Sequence, residues 1–165
     1  MPTGMLILLG AIMPDYYQSS LGDDYKKSLE TSNPNRTKGW IVGDFDRLGG
    51  LCRNSDIEIK YWKSKDSGES NEHPAKVQSK VWELTLVLEG KTKGFVQRGN
   101  AIETVELSKH QFIIIEPKTI NNLVQETEEG TETLTIKFPS DPRDAIKLGE
   151  DLIRDLSKHI NKATE

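Results

Sequence analysis

Glu83 is the side chain of this sequence best placed to do chemistry. It stands in the run Val81-Trp82-Glu83-Leu84-Thr85-Leu86-Val87-Leu88, where nearly every neighbour is apolar. A carboxylate on a strand with little wet surface has its pKa pushed up by desolvation unless cations or donors hold it ionised. Such a group can act as acid, base or hydrogen-bond acceptor for a ligand. The plainer reading is a carboxylate satisfied within the protein, because a buried charge persists only when paired. Metal chemistry is a poorer fit: a mononuclear site needs three or four converging donors, typically with several imidazoles. The chain has three histidines. His73 precedes the central run, His110 opens a strand at a turn and His159 falls near the C-terminus, so no metal site and no cofactor are expected.

The elements that must position Glu83 are short strands. Val81 to Leu88, Gly94 to Gln97 and Phe112 to Ile115 are apolar runs separated by Glu89-Gly90-Lys91 and Arg98-Gly99-Asn100, a pattern that predicts an antiparallel meander. Alternation along the first run puts Trp82, Leu84, Leu86 and Leu88 on one face, with Val81, Glu83, Thr85 and Val87 on the other. Upstream, a strand is expected from Gly39 to Gly43, and Asp56 to Trp62 alternates with Ile57, Ile59 and Tyr61 on one face. Downstream, Ile120 to Gln125 and Thr131 to Phe138 read as strands around the turn Glu128-Glu129-Gly130. Trp40, Lys60, Tyr61, Trp62, Gln125 and Lys137 can line the interior or its rim, and an aromatic wall with a few polar groups suits a sugar or small-acid pocket. Asp141 with Pro142 and Asp144 reads as the start of a helix running to the C-terminus through Ile146, Ile153, Leu156 and Ile160. Residues 14 to 36 are polar and turn-rich, with a short helix expected over Tyr25 to Glu30.

Length and charge narrow the function classes. A chain of 165 residues is enough for one domain with a real core. A net charge of -4 argues against a phosphate-backbone binder, so no nucleic-acid partner is expected. Cys52, the single cysteine, excludes an intramolecular disulfide framework and fits a reducing, cytoplasmic setting. The Met5 to Met13 run lacks a basic segment before it and is far shorter than the roughly 20 residues of a membrane span, so no membrane association is expected. Met13 is an alternative start, which would make residues 1–12 an extension.

The central segment resembles the cupin superfamily of small double-stranded β-helix barrels. The first cupin motif ends in Glu followed seven residues later by Gly, and Glu83 and Gly90 stand in that relation in W-E-L-T-L-V-L-E-G. The second motif aligns with H-Q-F-I-I-I-E-P-K-T-I-N-N, which places His110 where the family usually has Gly, Pro117 at its Pro and Asn121 at a metal-binding His. The two histidines that the resemblance leads one to expect before Glu83 fall at Gln78 and Lys76. Only Glu83 of the four metal ligands is therefore present. Lys76, or Gln78 with Asn121, can satisfy the carboxylate, and the Lys76 ammonium can replace the metal's positive charge.

The resulting expectation is an all-β, cupin-like double-stranded β-helix (a jelly-roll barrel) over residues 37–140, with an N-terminal arm over 1–36 and a C-terminal α-helix over 141–165. Its expected function is metal-free binding of a small polar molecule, a sugar or a small acid, through Glu83, Asn121, Gln78, Lys76 and Tyr61. The alternative is a metal-independent enzyme of the sugar epimerase or isomerase type, which by family resemblance uses acid/base side chains with a Tyr acid. The central strand is apolar on both faces, and a barrel wall has one inside, so a homodimer is expected through the outward face of 81–88 or through the N-terminal run.

Overall fold

The computed structural model describes residues 19–29, 39–45, 48, 52–65, 67–69, 75–98 and 101–148. One sheet runs β1 (Trp40–Val42), β2 (Glu58–Lys63), β10 (Glu132–Phe138), β5 (Trp82–Glu89) and β8 (Phe112–Ile115) in that spatial order. The other runs β11 (Ala145–Lys147), β4 (Lys76–Gln78), β9 (Ile120–Thr127), β6 (Lys91–Arg98) and β7 (Ala101–Ser108), with β3 (Gly68–Glu69) also on β9. Every ladder between these strands is antiparallel. Helix α1 (Leu21–Leu29) lies against β1 and β2. No helix among the described residues is long and apolar enough to cross a membrane.

The expected meander is not what forms. β5 and β6 are joined by a single turn residue, Gly90, yet they belong to different sheets, and β5 pairs with β10 and β8. Gly90 has φ 74 and faces Thr131, so that a Cβ there would lie 2.6 Å from the Thr131 hydroxyl. The chain thus turns tightly from one layer into the next, and local turn residues carry no information about which distant strand supplies the pairing partner. β7 was not anticipated as a strand, because its A-I-E-T-V-E-L-S sequence buries little beyond Leu107. Gly94 makes the close approach that seats β6 on β9: a Cβ there would collide with the backbone carbonyl of Asn122.

Both chain ends depart from expectation where they are described. Helix α1 begins at Leu21, earlier than Tyr25, because Ser20 Oγ accepts a hydrogen bond from Asp23 N at 3.1 Å and caps it. Asp141 caps a turn and not a helix, with Arg143 N donating to Asp141 Oδ1 at 3.2 Å. The chain then continues as β11 along β4, with Ile146 opposite Val77. Asp forms side-chain turns as readily as helix caps, which is why the signal misled. Asp144 pins the next corner, accepting from the Ser79 hydroxyl and from the backbone of Lys80 and Val81. The rest of the expected terminal helix, and the Met5 to Met13 run, lie outside the described residues.

The interior has two halves. Val96, Ile115 and Leu123 form an apolar cluster with Val105 and Ile113 packed on it. On the other side, the buried inward face carries polar groups: Glu58, Gln78, Glu83, Thr85, Asn121, Thr133 and Lys137 are all buried. The Trp82, Leu84 and Leu86 face of β5 therefore points outward, in register with Phe138, Ile136 and Leu134 on β10. There Trp82 stacks on Phe138, with ring centroids 6.3 Å apart.

Candidate functional site

Register explains how the polar half is assembled. Residues directly opposite on antiparallel strands share a face. Lys137 on β10 stands opposite Glu58 on β2 and Glu83 on β5, and Glu83 stands opposite Ile115 on β8. The next inward row places Lys60 between Trp40 and Thr135. Two carboxylates thus flank one ammonium across three neighbouring strands. From the facing sheet, Lys76 stands opposite Asn121, with Gln78 two residues along the same face.

Glu83 is 2% exposed and fully engaged. Lys76 Nζ donates to both of its oxygens at 2.7 Å, an ion pair that bridges the two sheets. Lys137 Nζ lies 3.8 Å from Glu83 Oε2. With the Gln78 amide oriented to suit its neighbours, Nε2 donates to Glu83 Oε2 and Oε1 accepts from Lys137 Nζ, both at 3.1 Å. Burial pushes the Glu83 carboxyl up, but the positive charges of Lys76, Lys137 and Lys60 outweigh it and hold the group below the ordinary carboxylate range.

Glu58 is held differently. It is 1% exposed, and Oε1 accepts from the Ser140 hydroxyl at 3.3 Å while Oε2 has no partner. Burial raises its carboxyl above the ordinary value, against the opposing pull of Lys137, the Ser140 hydroxyl and the Asp141 backbone. Lys137, 5% exposed, is lowered by burial and by Lys76, against the attraction of Glu83, Glu58 and Asp144. Its ammonium sits 4.9 Å from the centroid of the Trp40 ring, with Lys60 at 5.8 Å from the same ring. Asn121 is 1% exposed; its Nδ2 donates to Thr119 O, and Oδ1 has no partner. Trp40, Lys60, Trp62 and Lys76 are only partly buried.

Of the five residues singled out from sequence, Glu83, Lys76, Gln78 and Asn121 lie on the inward faces, and the first three are in direct contact. Tyr61 is a correction. It belongs to the outward parity of β2, opposite Leu134, and its hydroxyl engages Glu132. Glu58 went unrecognised, although its alternation with Lys60 and Trp62 already placed it on the face opposite Ile59 and Tyr61. A depression of about 400 Å³ lined by Lys63, Ser64, Lys65, Glu129 and Gly130 lies at the far end of β2. None of the interior charges lines it, so it is separate from this site.

A cupin metal does not fit these residues. Both Glu83 oxygens are occupied by an ammonium, a second ammonium stands behind it, and Lys76, Gln78 and Asn121 occupy the remaining ligand positions. Among the described residues no three His, Cys, Asp or Glu side chains converge. His110 is exposed at the β7–β8 turn with φ 66, the left-handed conformation that suits the Gly usual there, and His73 and His159 lie outside the described residues.

Two antiparallel sheets closed over one interior are the double-stranded β-helix, or cupin, fold. A solved structure agrees. Oxalate decarboxylase from Bacillus subtilis matches with TM-score 0.50 and 12% identity over 59% of this chain and 25% of its own. TDP-quinovose 3,4-ketoisomerase from Campylobacter jejuni gives 0.49 and 12% over 68% and 82%. An uncharacterized conserved protein with a double-stranded β-helix domain from Klebsiella pneumoniae gives 0.46 and 14% over 58% and 77%. At 12% identity the likeness to the oxalate decarboxylase extends to the fold alone. No family model and no curated protein matches by sequence.

Proposed function

We propose that this protein binds a small polar molecule, a sugar or a small acid, in the polar half of its barrel without a metal, and does so in the cytoplasm. The observation that carries this reading is the pair of buried, unpartnered oxygens, Glu58 Oε2 and Asn121 Oδ1. A buried polar atom left unmade costs about 1–3 kcal/mol, so two on inward faces are sites for a ligand to fill. Glu83, Lys76 and Gln78 form the preorganised wall behind them. A thermal-shift screen of sugars and small acids tests the reading: a ligand raises Tm in the unmodified protein, and Asn121→Ala weakens that response. If no compound shifts Tm, or the shift is indifferent to Asn121, the reading fails.

A metal-independent isomerase is the second reading. Glu58 raised and Glu83 lowered are the opposed carboxylates that acid/base chemistry uses. Tyr61, the acid this reading required, faces away from them, so binding without turnover is the better supported function.

A further inference from the structure

The two sheets end in β1 and β8, and in β11 and β7. Three of these four edges are guarded. β1 is bulged between Trp40 and Val42 and lies beside α1. β11 carries Lys147, and β7 carries Glu103 and Glu106 within the strand. Bulges, covering elements and charges are the devices that keep an open edge from pairing with another chain. β8 has none of them: Phe112-Ile113-Ile114-Ile115 contains no charge, no proline and no bulge, and no strand among the described residues pairs with its outer side.

Register shows what this edge offers. Antiparallel neighbours alternate between pairs that exchange both backbone bonds and pairs that exchange none. Val87 N donates to Gln111 O and Val87 O accepts from His110 N, so the Val87 backbone faces β8. Alternation then turns the backbone of Thr85 toward Ile113 and that of Glu83 toward Ile115, while Leu84 and Leu86 turn theirs toward β10. Phe112 and Ile114, opposite Leu86 and Leu84, therefore direct N–H and C=O away from β5, to the open side. Neither bonds to another segment among the described residues. Their side chains are exposed as well, on the outer face.

We infer that β8 is a self-pairing edge: two copies of this chain join antiparallel about a two-fold axis at Ile113, merging their five-stranded sheets into one of ten strands. In that register Phe112 of each copy exchanges both backbone bonds with Ile114 of the other, which satisfies all their outward groups. The exposed side chains of Phe112 and Ile114 become cross-strand neighbours. Glu116 of each copy comes across from His110 of the other, so an imidazole meets a carboxylate. Other axes serve less well. An axis at Phe112 sets Ile114 opposite His110, whose N–H is already given to Val87 O, and one at Ile114 sets Phe112 opposite Glu116, whose carbonyl already accepts from Thr119 N.

The test reads the edge itself. Site-resolved amide hydrogen exchange on the unmodified protein should show Phe112 and Ile114 slowing about tenfold or more as concentration rises from below to well above the dimer dissociation constant, with the β11 amides unchanged. Cross-linking gives a second measurement. Opposed residues of a pair without backbone bonds lie about 4.5 Å apart at Cα, within disulfide reach. Ile113→Cys in a Cys52→Ser background should therefore link the copies under mild oxidation, while Phe138→Cys in the same background should not. Should Ile113→Cys fail to fold, exchange on the unmodified protein decides alone. A dimer whose Phe112 and Ile114 amides exchange equally fast at all concentrations, linkage at Phe138→Cys in place of Ile113→Cys, or a protein that stays monomeric each overturns the inference.

Discussion

Lys76 Nζ lies 2.7 Å from each oxygen of Glu83, joining β4 of one sheet to β5 of the other. A single ion pair therefore ties the two layers of the barrel together at the position where cupins ordinarily use a metal. Removing the cation leaves a buried carboxylate with Lys137 and Gln78 beside it and Lys60 acting from farther off. Lys76→Met should cost about 2–4 kcal/mol at pH 7, and Lys76→Met with Glu83→Met should recover most of it. Urea denaturation measures both. Equal losses in the single and double variants would mean that the pair adds nothing.

Glu83 and Glu58 should act on stability with opposite signs. The folded pKa of Glu83 is lowered, so its stabilisation is present above the ordinary glutamate value of about 4.3 and is lost as pH falls through the folded value. The folded pKa of Glu58 is raised, so stability of the unliganded protein falls as pH climbs from the ordinary value to the raised one. Glu58→Gln should then be more stable than the parent at pH 8, with the difference shrinking toward pH 4. A variant less stable than the parent at both pH values would refute this.

Metal content follows from the same geometry. Protein purified without chelator should carry well under one equivalent of Fe, Mn, Zn, Ni or Cu, because an ammonium already occupies both Glu83 oxygens. Elemental analysis decides, and a near-stoichiometric metal lost on Glu83→Ala would contradict the assignment.

Association is proposed for the outer face. Phe112 and Ile114 on the edge strand β8 are 59% and 48% exposed, beside the stacked Trp82 and Phe138. A second copy of this chain is the occupant proposed here, in an isologous pair. Sedimentation velocity at micromolar concentration should give a dimer, and Ile114→Asp should return it to monomer. A monomeric parent protein would sink the proposal.

Much of the site was legible because part of it is local. Alternation along 81–88 separates Glu83, Thr85 and Val87 from Trp82, Leu84 and Leu86, and the family resemblance, by aligning Lys76 and Gln78 with two ligand positions, implied the wall behind the carboxylate. What alternation leaves open is which face is inside, and here the leucine-rich face is the outer one. Tyr61 was misplaced for that reason: taken as a lining residue from its type, it has the parity of Ile59, and Glu58 has that of Lys60 and Trp62. Glu58, Lys137 and Glu83 became neighbours only through the register of β2, β10 and β5, three strands far apart in the chain. The sequence by itself determined most of the central strands and their two faces, since these depend on residue type and short spacing, while the loss of the metal ligands was what the family resemblance implied. The tertiary structure alone decided which charges meet, because strand pairing is set by long-range closure of the barrel, and a carboxylate's role depends on the cations that closure brings to it.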